Sequence, residues 1–204
     1  SNTPIDSLLM QRFFLILLLF VVFAVASTRL NETMWSDENR SLIYAGAAPH
    51  YGLTTLPESI ERIAENLWQA PAYYLTLWGW GRLVGWRVFA LRVLSVLFGI
   101  LTIAITYRLG RYFFTSEVAL YGAFVLGFGA FFSNFMHDMR TYTLMPLIIA
   151  LILWVYVHIT HAKRPHRILY PAFAICIALA LYTHYFNVFL IAALGIYHLL
   201  AQMR

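Results

Sequence analysis

The sequence predicts an all-α, polytopic integral membrane protein with about six transmembrane helices. Hydrophobic residues make up 61% of the 204 residues and charged residues 11%. A soluble domain carries roughly 25% charged residues. Mean hydropathy is +0.71. Apolar stretches recur along the chain at the length of roughly 20 residues that a helix needs to cross a bilayer core. One membrane domain over residues 1–204 is expected, with no internal repeat.

The first span is expected at about 11–29, the second at about 87–107 with only Arg92 interrupting it, the third at about 118–136 and the fourth at about 141–160. A last apolar stretch runs over 168–201. As one helix it would be on the order of 50 Å long, well beyond a ~30 Å core, so it must fold back. Thr183, His184 and Asn187 mark the turn. The stretch 71–85 is apolar, but it is short, contains Gly79 and Gly81, and is rich in Tyr and Trp. It reads as a helix lying in the interface. Tyr73, Tyr74, Trp78 and Trp80 then form an aromatic belt or line a lipid groove.

This layout puts Arg108, Arg111, Lys163, Arg164, Arg167 and Arg204 on the same side as Arg12. By the positive-inside rule that side is cytoplasmic, together with the N-terminus. The external side receives a long first loop over about 30–86, a second near 137–140 and a turn at 183–187. Within the first loop, Ser36 is expected to cap a juxtamembrane helix with Glu38 in its first turn. Pro57 and Glu58 open a second amphipathic helix with Ile60, Ile63 and Leu67 on one face.

The net charge of +5 comes from basic residues scattered over loops and helix ends, so nucleic acid is not an expected partner. The single Cys176 sits in an apolar run and reads as a small buried hydrophobe. His158 and His161 share a helix face near the cytoplasmic end, where a metal site is the weaker of two readings. The opening Ser1-Asn2 without Met reads as a cleavage scar or trimmed end, and the first apolar run as a retained helix.

Three polar groups then meet on the external face: Asp37 with Glu38, His137-Asp138-Met139-Arg140, and Thr183-His184-Tyr185. Carboxylates there can deprotonate a hydroxyl or hold a divalent cation such as Mg or Mn, with Asp37 and Asp138 as its ligands. Arg140 and a protonated His184 can pair with phosphate. Arg92, inside a span, either reaches the interface or pairs with a carboxylate of the first loop. A substrate that is half lipid and half phosphate fits such a face. The plainer readings are a solvated helix start for Asp37 and Glu38, and a local ion pair closing a helix hairpin for Asp138 and Arg140.

Several motifs occur in a fixed order: Asp37-Glu38, Gln69-Ala70-Pro71-Ala72-Tyr73-Tyr74-Leu75, Ala90-Leu91-Arg92-Val93-Leu94-Ser95, Asp138-Met139-Arg140-Thr141-Tyr142, and Thr183-His184-Tyr185-Phe186. Over about residues 10–190 this resembles the N-terminal half of GT-C superfamily glycosyltransferases, in the family 39 branch of protein O-mannosyltransferases and aminoarabinose transferases. Gln69-Ala70-Pro71-Ala72 departs from the family's usual His-Pro-Pro-Leu, and Asp138 stands where Glu is common. Family members carry further spans, so the resemblance implies a fragment or a reduced relative.

The resemblance implies a glycosyltransferase that takes a sugar from a polyprenyl-phosphate donor to an acceptor hydroxyl on a glycan, lipid or protein. Asp37 would be the general base, assisted by Glu38, with Asp138 as the acid of the second loop. Arg140 and His184 would face the donor phosphate, with Arg92, Tyr73 and Tyr74 at the donor or its lipid. The expected location is a bacterial or archaeal plasma membrane, among membrane lipids, with the active face external. The rivals are a non-catalytic module that binds lipid phosphate and a small transporter. A transporter predicts charges facing one another at the bilayer midplane and inverted repeats; here the acids lie at membrane edges.

Overall fold

A computed structural model of the protein describes residues 4–47, 53–66 and 69–203. The described residues are all-α. The helices are α1 (Pro4–Ser27), α2 (Ser36–Tyr44), α3 (Leu56–Ala64), α4 (Ala72–Val84), α5 (Val88–Phe113), α6 (Ser116–Phe128), α7 (Ala130–Phe135), α8 (Leu144–His161), α9 (Leu169–Thr183) and α10 (Asn187–Gln202). Three of them, α1 over Leu9–Ser27, α5 and α8, are long and apolar enough to cross a membrane. The helices α6, α9 and α10 are apolar and shorter. The chain is an integral membrane protein.

Helix α1 is apolar all round, so burial and not sequence pattern reveals its packed face. Leu18, Val22 and Ala26, four residues apart, are buried, while Phe13, Ile16 and Phe20 stay exposed as side chains facing lipid do. The buried stripe packs on Ile103 and Tyr107 of α5 and on Ala119 and Ala123 of α6. On α6 the inward residues are Ala119, Ala123 and Gly127. Small residues at this spacing let membrane helices approach closely. Thr115 caps α6 by accepting the Val118 N–H. The expected third span is interrupted: the helix breaks at Gly129 and resumes as α7.

Helix α5 is the spine, meeting α1, α4, α6 and α8. A second buried cluster joins Tyr73, Tyr74 and Leu77 of α4, Leu91 and Leu94 of α5, Met139, Leu144 and Ala180. Helix α4 is roughly 20 Å long by helical rise, too short for a ~30 Å core. It is fixed to α5 by a hydrogen bond of 2.8 Å from the Trp80 indole to the Ala90 carbonyl. The last apolar stretch does fold back, with α9 ending at Thr183 and α10 starting at Asn187. The Asn187 amide closes this turn by donating to the Ala180 carbonyl at 2.7 Å.

Helices α2 and α3 follow α1, as expected, with local differences. Ser36 is the first residue of α2 and does not cap it. Trp35 holds the cap position, and the Glu38 carboxylate turns back to accept its backbone N–H at 3.4 Å. In α3 the inward residues are Ser59 and Ile63, and Ile60 is exposed. The rotation follows from Ser59, whose hydroxyl bonds the buried Thr54 hydroxyl at 2.9 Å. Thr54 in turn lies against Gly46, which has φ 84° and no room for a Cβ. Leu67 and Arg204 of the sequence reading lie outside the described residues. Cys176, on α9, is half-buried, short of full burial, because only one side of its helix packs against the α4–α5 cluster.

Candidate active site

The centre of the site is an ion pair removed from solvent. Glu38 is 0% exposed and Arg92 1%. Arg92 Nε donates to Glu38 Oε1 at 2.9 Å and Nη2 donates to Oε2 at 2.7 Å, a two-pronged geometry that suits guanidinium and carboxylate. The remaining Arg92 donors are also used. Nη1 donates to the carbonyls of Leu30 at 3.1 Å and Glu32 at 2.7 Å, and Nη2 to that of Thr33 at 3.4 Å. Glu38 Oε1 also accepts the Met139 backbone N–H at 3.0 Å. One buried pair therefore joins the exit of α1, the start of α2, α5 and the loop before α8. Of the two sequence readings of Arg92, the pairing with a first-loop carboxylate is the one present.

That α7–α8 loop is far more buried than a surface turn. His137, Asp138 and Met139 are 3%, 7% and 0% exposed. Met136 anchors it by seating over Gly99 of α5, where a Cβ would come within 2.5 Å of the methionine Cε. His137 Nε2 lies 3.3 Å from Asp138 Oδ1. Burial, and then the nearby Arg29 charge, hold the His137 imidazole below the usual histidine range. The His137 Nδ1 is buried with no partner. Burial, with the Glu38 charge behind it, pushes the Asp138 carboxyl up to about 6.

The remaining residues fall into two groups. The first is Asp37, Arg140 and Tyr74. Arg140 Nη2 lies 3.7 Å from Asp37 Oδ2, and Nη1 donates to the Tyr74 hydroxyl at 3.2 Å. The Tyr74 hydroxyl itself donates to Gln69, the residue standing where the family's histidine is expected. The Asp37 side chain is 27% exposed and meets Arg40 at 3.8 Å as well. Arg140 Nε is sheltered and has no partner. Burial raises both Tyr73 and Tyr74, with Arg140 partly opposing the shift, so both phenols stay protonated donors at neutral pH.

The second group lines a cavity of about 270 Å³ that includes Asp138, His137, Arg92, Arg29, Glu32 and Asn134. Arg29 pairs with Glu32 at 2.8 Å and reaches Asn134 Oδ1 at 2.8 Å, tying the first loop to the end of α7. Asp37 and His184 do not line this cavity. His184 closes the α9–α10 turn, where Nδ1 accepts the Phe186 N–H at 3.3 Å and the ring lies on Phe186. No hydrogen bond or ion pair among the described residues joins it to Asp37 or Asp138. It lies at the same end of the bundle, because Ala180, one turn earlier, packs in the cluster of Tyr73 and Met139. Tyr73 is fully buried and shares a hydrogen bond of 2.8 Å with Ser95.

The sequence profile described as dolichyl-phosphate-mannose-protein mannosyltransferase matches residues 69–204. The chain belongs to this family. The matched residues include Tyr73, Tyr74, Arg92, Asp138, Arg140 and His184 of the site, while Asp37 and Glu38 precede them. No curated protein and no solved structure matches the chain. Membership of this GT-C family agrees with the resemblance read from the motifs.

Sequence reasoning missed Arg29, Glu32 and Asn134 as walls of the Asp138 cavity, and Ser95 as the partner of Tyr73. Arg92 was the available signal, since a charge within an apolar span must find a partner. The sequence left a metal open and named Asp37 and Asp138 as the ligands if a cation is held. Among the described residues no group of three or more His, Cys, Asp or Glu is placed to hold a metal ion.

Proposed function

We propose that the protein transfers a sugar from a polyprenyl-phosphate donor to an acceptor hydroxyl at the membrane face that carries Asp37 and Asp138. The observation carrying this reading is the Asp37–Arg140 pair, a part-exposed carboxylate beside a guanidinium with an unused, sheltered donor at Nε. Family membership supports the donor class. In this reading Asp37 takes the proton of the acceptor hydroxyl as its oxygen bonds to the anomeric carbon. The bond from that carbon to the phosphate oxygen breaks, and polyprenyl phosphate leaves with the bonding electrons. Arg140 holds the phosphate, and Tyr74 orients Arg140 through its hydroxyl. The carboxylates stabilise the positive charge that develops on the sugar.

Glu38 assists by fixing Asp37 and the α7–α8 loop in register. Arg92 and Tyr73, whose polar groups are already engaged inside the fold, support the donor side by positioning. Asp138 receives the acceptor, and His184 meets the donor headgroup from the α9–α10 turn. We further propose that α6 with α7, α9 and α10 complete six spans. The N-terminus is then cytoplasmic and the site faces outward from a bacterial or archaeal plasma membrane.

The test compares Asp37→Asn with wild type in a sugar-transfer assay using polyprenyl-phosphate donors. Loss of a general base costs roughly 10²–10⁴-fold in rate. Wild-type transfer by Asp37→Asn would remove the assignment of the base. Donor binding without transfer by either protein would leave a lipid-phosphate-binding module in place of an enzyme.

A further inference from the structure

The opposite end of the bundle carries a second charged cavity that the transfer reading does not use. It has a volume of about 450 Å³ and its walls include Arg12 of α1, Tyr107, Arg108 and Arg111 of α5, and Trp154 and His158 of α8. By helical rise, Arg108 lies roughly 24 Å along α5 from Arg92. The two sites are therefore separate.

Three guanidinium groups face one space with no acid in its walls. Among the described residues none of Arg12, Arg108 and Arg111 lies within ion-pair distance of a carboxylate. Glu117, on the next helix, engages Gln11 at 3.3 Å instead. The second observation is Tyr107, which is 4% exposed and whose hydroxyl is buried with no partner. Arg111 lies over the Tyr107 ring at 6.0 Å. His158 is held by Trp154, with Nδ1 2.7 Å from the Trp154 carbonyl, which leaves Nε2 for another partner. Basic residues at a cytoplasmic helix end need only be on the correct side of the membrane. That rule does not account for three exposed arginines from two helices bordering one cavity beside a buried, unsatisfied hydroxyl.

We propose that this cavity is an anion site that takes a phosphate group, with Arg108, Arg111 and Arg12 supplying charge and Tyr107 a hydrogen bond. The phosphate belongs to an anionic phospholipid headgroup or to soluble phosphate, and the two sources give different results. The full chain, purified in detergent and stripped of lipid, is offered phosphatidylglycerol and phosphatidylcholine in equal amounts, and retained lipid is read by native mass spectrometry. Thermal unfolding with and without inorganic phosphate is measured in parallel.

The expected result is preferential retention of phosphatidylglycerol by roughly tenfold, because both lipids offer the phosphodiester but only phosphatidylcholine adds a cation that the arginines repel. The preference should vanish in R108Q/R111Q and weaken in Tyr107→Phe. A stabilising shift with inorganic phosphate, lost in the same variants and without lipid preference, assigns the site to the soluble ion. A wild type showing neither effect overturns the proposal, as do folded variants that behave like wild type. If R108Q/R111Q does not fold, Tyr107→Phe decides, since it removes one oxygen and leaves the ring in place. Wild-type retention by Tyr107→Phe then overturns the site.

Discussion

Glu38 and Arg92, 54 residues apart in sequence, meet through two hydrogen bonds of 2.9 and 2.7 Å in a place solvent does not reach. Breaking one side of a buried pair leaves an uncompensated charge and costs on the order of 3–5 kcal/mol. Glu38→Gln and Arg92→Met should each lower the thermal midpoint sharply in detergent. The double variant should recover part of the loss, because no lone charge remains. Single variants that melt with wild type would show that the pair does not hold the fold.

Arg140 should act on donor binding. Arg140→Gln removes the charge beside Asp37 and the bond to Tyr74. Apparent KM for a polyprenyl-phosphate donor should rise roughly tenfold, with a smaller change in kcat. Tyr74→Phe should reproduce a fraction of that rise. A fall confined to kcat would move Arg140 away from the donor.

The Asp138 carboxyl gives the fold a pH dependence. Its folded value of about 6 lies above the ordinary 3.8. The folded state therefore binds more protons than the unfolded state between these values. Stability from this group falls as pH rises through that window, by about 1.4 kcal/mol per unit crossed, and stays low above it. Asp138→Asn should flatten the slope and raise the midpoint at neutral pH. Melting curves taken from below pH 3.8 to above about 6, the two values that bound the window, check this. A slope unchanged in Asp138→Asn would locate the titration elsewhere.

Gly99 should tolerate little. A Cβ there would meet Met136 at 2.5 Å from Cε and 2.8 Å from Cγ. Overpacking of this kind costs roughly 1–3 kcal/mol. Gly99→Val should destabilise the protein and reduce transfer by displacing the loop that carries Asp138. Adding Met136→Ala should restore part of both. Failure of that rescue would show that the loop does not depend on this contact.

The helical layout was legible because long apolar runs leave few alternatives, and the polar triplet at 183–187 marks a turn that hydrocarbon would not accept. The short aromatic α4 was readable for the same reason. The break at Gly129 was not, since glycine inside an apolar span is ordinary. The facing of α3 was hidden because two small hydroxyls, Thr54 and Ser59, decide it and Ile60 does not. In the site, the acids and arginines were found by motif, while the burial of His137, Asp138 and Met139 was not. That burial depends on Met136 fitting over Gly99, a contact between residues 37 positions apart that no local pattern encodes.

The tie between Glu38 and Arg92 also orders biogenesis. A ribosome delivers the acidic residue well before its guanidinium partner, and the Met139 amide that completes the carboxylate's shell emerges later still, 101 residues after Glu38. The shell around this carboxylate can therefore close only once the chain has been made as far as the loop before α8.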